Sequence, residues 1–114
     1  MTSTPIPAGK LPAALLTRLL EGGGGTPPEV LLGPAVGEDA CAIEVDAGVL
    51  VAATDPITLT TGDLGRYGVI VNANDVAVMG VRPRWFLAAV LLPLGTTDSS
   101  VETLFTSMRA ALDE

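Results

Sequence analysis

Asp39 and Asp55 invite the first chemical reading of this chain. Residues 40–45 and 49–54 are apolar runs separated by Asp46-Ala47-Gly48, the pattern of two strands joined by a tight turn. A hairpin folded at that turn sets Asp39 opposite Asp55, with Glu38 beside them. Directly paired strand residues lie about 4.5–5.5 Å apart, and two carboxylates at that distance repel. A cation, a shared proton or ample water must relieve the repulsion. An oxygen-only set without His or Cys points to a hard cation, Mg²⁺ ahead of Ca²⁺. The alternative is a group of solvated acids at a strand end.

A second pattern lies further along. Gly65, Gly68, Asn72, Asp75 and Met79 recur at helical spacing and form one stripe of small and polar groups. Val69, Ile70, Ala73, Val76 and Ala77 make an ordinary core face opposite it. Glycine inside a helix costs about 1 kcal/mol against alanine, so two on one stripe suggest close approach by a ligand or another backbone. A polar face toward solvent is the plainer reading. Arg82 and Arg84 are candidates for phosphate contact or plain surface residues. Cys41, within an expected strand, reads as a small buried thiol rather than a nucleophile. The run Gly22–Gly25 lacks the Lys-Ser/Thr of a phosphate loop and reads as a linker.

The elements that must position these residues follow from periodicity. Residues 1–9 read as a flexible arm. Leu11, Leu15, Leu16, Leu19 and Leu20 mark a helix over 11–21, with Pro12 tolerated at its start. Residues 26–34 read as a stiff loop. After the expected hairpin comes a helix over 64–79 ending at Gly80, then a strand over 85–92 holding Trp85 and Phe86 in the core. Thr97 or Asp98 caps a last helix with Val101, Leu104, Phe105, Met108 and Leu112 on one face. The order helix, strand, strand, helix, strand, helix is an α+β layout, a small mixed or antiparallel sheet with helices on one face.

The 114 residues suit a single domain, 1–114. Its 13 acidic against 6 basic residues give a net charge of −7, a field that repels nucleic acid. Histidine is absent, which removes His-based triads and most zinc sites, and one cysteine excludes an internal disulfide. The start lacks a signal peptide's basic and apolar regions, and no apolar run reaches the roughly 20 residues of a membrane span. A cytoplasmic protein without membrane contact is expected. Both faces of 49–54 are apolar, so helices on one side leave the other exposed; a homodimer through the sheet is expected.

Gly37-Glu38-Asp39-Ala40, Thr54-Asp55-Pro56, Asn74-Asp75-Val76-Ala77-Val78-Met79-Gly80 and Arg82-Pro83-Arg84-Trp85 occur in that order. Together they resemble the ATP-binding N-terminal domain of the AIR synthase (PurM) superfamily, nearest in likeness to AIR-synthase-related and HypE-type hydrogenase-maturation proteins. Gly9-Lys10-Leu11-Pro12 is similar to the start of that branch. The resemblance implies a sheet with helices on one face and a second subunit on the other, with ATP along the dimer interface and Mg²⁺ between phosphates and aspartates. It implies Asp39, Asp55 and Asp75 as metal and phosphate residues, Glu38 as a further metal ligand where the family usually has Asp, and Asn74 as a neighbour. The stripe with Gly68 and Asn72 would face the nucleotide.

The implied chemistry is ATP-dependent activation of a carbonyl or carboxamide oxygen, on a small-molecule or protein-borne substrate. In HypE-type proteins, loss of phosphate from the activated carboxamide leaves a nitrile. The family's next Gly-Gly-Asp motif and second domain would lie beyond residue 114, so the isolated chain is expected to be inactive. A non-catalytic dimerisation and nucleotide-binding module and a thiamine-monophosphate-kinase-like phosphotransferase are the alternatives.

Overall fold

A computed structural model describes residues 4–22, 24–38, 40–46, 48–56 and 63–114. Along the chain come α1 (Ala13–Glu21), β1 (Val30–Leu32), β2 (Ala42–Ile43), α2 (Leu64–Ala77) and α3 (Asp98–Leu112), an α+β arrangement. Pro12 precedes α1, where its missing N–H is harmless, and the glycine run stops the helix at Glu21. Thr97 caps α3: its Oγ1 accepts from the Ser100 backbone N–H at 3.2 Å. The cap lies where the sequence places it.

Packing follows the apolar stripes. Leu15 and Leu19 of α1 meet Val101 of α3, with Ile6, Leu11, Leu92 and Phe105 packed around them. α2 lies along α3, and the approach is close because Gly65 has no side chain. A Cβ there would stand 2.6 Å from the Leu104 carbonyl oxygen and 2.9 Å from the Met108 nitrogen. Val69 and Ala111 are buried, whereas Leu112, expected on the inner face, is half exposed. Asp63, with φ of +45°, ends the turn into α2 and accepts a 2.5 Å hydrogen bond from Ser107 Oγ on α3. An exposed ion pair, Arg66 to Glu114 at 2.8 Å, joins α2 to the residues just past the end of α3.

The sheet differs from the expected one. β1 and β2 pair antiparallel, Val30 with Ile43 and Leu32 with Ala42, with one irregularity between them. Glu44 N–H extends the ladder to the Glu29 carbonyl at 2.7 Å. Residues 40–45 thus pair backward with the segment read as a stiff loop, and 49–54 form no ladder among the described residues. Residues 85–92 form no strand there either. Both segments are apolar, but strand propensity supplies no hydrogen-bond partner. The β1–β2 ribbon touches no helix, so the described residues show no helix-covered sheet. Part of the arm read as flexible is paired: Ile6 N–H bonds the Thr96 carbonyl and Asp98 N–H the Thr4 carbonyl.

Exposure is large. The chain presents 8296 Å² of surface, against about 5,800 Å² for a compact monomer of its 11.6 kDa mass. Much of it is apolar, with Val49 at 93% and Leu91 at 95% exposure in the two unpaired segments.

Candidate functional site

Asn72 organises the region that the sequence singles out. It sits half-buried on α2, and its Nδ2 donates to the Gly68 carbonyl at 2.7 Å and to the Asp55 carbonyl at 3.1 Å. The second bond brings the end of the 48–56 segment onto the helix face that carries Gly68. That face is open: a Cβ on Gly68 would meet nothing within 4 Å. Asp75, one turn beyond Asn72, and Asn74 beside it are exposed, as is Asp55. The structure therefore collects Asp55, Gly68 and Asn72, with Asp75 following along the helix.

The stripe divides between two tasks. Gly65 serves the approach of α3, the second-backbone case, whereas Gly68 leaves space above the helix. Met79 lies past the end of α2 and is exposed. Asp39 lies outside the described residues, so its pairing with Asp55 does too. Glu38 is exposed, and its N–H bonds the Ala35 carbonyl in a turn. Among the described residues no three His, Cys, Asp or Glu side chains form a metal-holding group. Mg²⁺ uses only one or two carboxylates, with water and phosphate oxygens completing its shell. Two exposed aspartates, Asp55 joined to α2 through its backbone carbonyl and Asp75 further along the helix, match that demand in donor type alone.

A cluster missed in the sequence lies at the ribbon. Arg84 Nη2 donates to Glu29 Oε1 at 2.7 Å, and its guanidinium stacks 4.4 Å from the centre of the Trp85 ring. The buried Trp85 indole N–H, lacking a well-formed hydrogen bond, adjoins the same carboxylate. A hydrogen bond from Glu29's own backbone N–H, then the Arg84 contacts, hold the Glu29 carboxyl below its usual range, against an opposing desolvation. Arg84 is thereby engaged within the chain. Trp85 and Phe86 are half-buried. Cys41 is exposed, not buried, and the ribbon beside it meets no helix among the described residues. No helix among the described residues is long and apolar enough to cross a membrane.

Comparison with known proteins bears on the same stretch of chain. The chain is 34% identical over 91 residues to a selenide, water dikinase of Dechloromonas aromatica, covering 75% of this chain and 26% of that protein. It is 34% identical over 83 residues to the hydrogenase expression/formation protein HupE of Azotobacter chroococcum, covering 68% and 24%. It is 36% identical over 53 residues to the carbamoyl dehydratase HypE of Rhodobacter capsulatus, covering 46% and 16%. The chain thus spans about a quarter of the first two relatives and less of the third. No solved structure matches with comparable significance. Residues 37–114, including Glu38, Asp55, Gly68, Asn72, Asn74 and Asp75, match the description "AIR synthase related protein, N-terminal domain", and the chain belongs to that family.

Proposed function

We propose that this chain is a Mg²⁺-ATP-binding domain of a protein that activates a carbonyl or carboxamide oxygen at the expense of ATP. The observation that carries this reading is the joining of Asp55 to the open Gly68 face of α2, inside the stretch that matches the family. In this reading Asp55 and Asp75 hold the metal, with Asp39 and Glu38 as further ligands. Gly68 lets phosphate oxygens approach the helix, and Asn74 borders them. Mg²⁺-bound ATP supplies the phosphoryl group, and charge neutralisation and positioning are the protein's share. A carbamoyl group is the substrate class suggested by the name of the HypE relative.

The exposed apolar segments support a homodimer. The surface in excess of a compact monomer is about 2,500 Å², more than the roughly 800 Å² per partner that a standard interface covers. A second copy pairing along 49–54 and 85–92 would supply the strand partners that these segments lack among the described residues. The cytoplasm, where ATP and Mg²⁺ are plentiful, is the compartment proposed.

The test is calorimetric titration of wild type and Asp55→Asn with ATP, with and without Mg²⁺. Tight binding only by wild type with Mg²⁺ is expected. Equal affinities in all four titrations, or binding in none, would refute the site.

A further inference from the structure

We infer that Asn72 is a positioning residue that tethers Asp55 to α2 and spends its amide hydrogens on that tether rather than on phosphate. Both partners of its amide are carbonyl oxygens, which only accept, so the NH₂ end must face them and the orientation of the group is fixed. The NH₂ carries two hydrogens, and the Gly68 and Asp55 carbonyls use both. No donor is left for a phosphate oxygen.

The tether matters because, among the described residues, it is the hydrogen bond that joins that segment to a helix. Residues 48–56 form no strand, and among the described residues no other hydrogen bond ties them to a helix. The Asp55 carbonyl comes to α2 from 17 residues upstream. A half-buried amide anchored to its own helix by the shorter Gly68 bond is a rigid post for this purpose. Its position above Gly68 places Asp55 beside a residue of α2 at which an added Cβ would meet nothing within 4 Å. The effect on metal and nucleotide rests on the function proposed above; the tether itself does not.

The experiment uses the ¹⁵N-labelled chain as wild type, Asn72→Asp and Asn72→Leu, with helix content checked by circular dichroism. Backbone order parameters of residues 53–55 are measured together with Mg²⁺-ATP affinity. Neither replacement donates at neutral pH, so in both the order parameters should fall from about 0.85 to below about 0.6. Mg²⁺-ATP affinity should drop about fivefold or more, the equivalent of one net hydrogen bond. A ligating Asn72 Oδ1 predicts the opposite for Asn72→Asp: unchanged order and equal or tighter Mg²⁺ binding. Either result, or unchanged order in Asn72→Leu, overturns the inference. Loss of order in both variants, with no Mg²⁺-ATP binding even by wild type, supports the tether and refutes the nucleotide reading alone.

Discussion

Gly65 and Gly68 occupy one helix three residues apart, and alanine at each should move stability in opposite directions. At Gly68 the added methyl meets nothing, so the substitution removes only the glycine penalty and should stabilise by about 1 kcal/mol. At Gly65 the same propensity gain opposes a steric cost. The methyl would stand 2.6 Å from the Leu104 oxygen, 2.9 Å from the Met108 nitrogen and 3.0 Å from Ser107 Cβ. Two of these are backbone atoms of α3, which cannot rotate aside, so the helices must separate along their contact. Overpacking costs about 1–3 kcal/mol, and immovable neighbours put this case at the upper end. Subtracting the propensity gain leaves Gly65→Ala destabilised by about 2 kcal/mol, so the two variants differ by about 3 kcal/mol. Urea unfolding followed by circular dichroism at 222 nm measures both against wild type. Shifts of the same sign, or a difference below about 1 kcal/mol, would refute the assigned packing of α2 on α3.

Thr97→Ala removes the α3 cap and should cost about 1 kcal/mol in the same assay, with Thr97→Asp retaining most of the stability. Because the Glu29 carboxyl is lowered in the folded state, its contribution is complete above its usual value of 4.5 and disappears as pH falls through the lowered one. Glu29→Gln should therefore flatten the acid limb of a stability–pH curve while leaving the curve above pH 6 parallel to that of wild type. Sedimentation should show a dimer at micromolar concentration, and Leu91→Asp should return it to monomer with little loss of helix content, since Leu91 is almost wholly exposed within one chain. A stable wild-type monomer would remove the proposed partner.

The helices are legible in the sequence because their signals are local. Spaced leucines, Pro12, the glycine run and the Thr97 hydroxyl each act within a turn or two, and the bounds of α1, α2 and α3 fall within about two residues of those expected. The ribbon is not legible, because choosing a partner for residues 40–45 is a comparison between distant segments. The turn chemistry of Asp46-Ala47-Gly48 favours one hairpin, yet Ala42 and Ile43 pair with Leu32 and Val30. The same limit applies to the site. The helical stripe is readable, but nothing in it separates Gly65, which admits α3, from Gly68, which faces open space. The Asn72–Asp55 bond and the Glu29–Arg84–Trp85 cluster join residues far apart in the chain and carry no short-range signature.

The pairing of residues 4–6 with 96–98 has a kinetic meaning. It closes a loop of about 90 residues, an entropic cost of about 4 kcal/mol beyond a constant, for a few hydrogen bonds and the packing of Ile6. Its partner Thr97 is also the cap of α3, so the docking surface exists only after that helix has formed. Docking of residues 4–6 therefore follows formation of α3. Release of this segment uncovers the Leu15–Leu19–Val101 core at the edge where Ile6 packs against it.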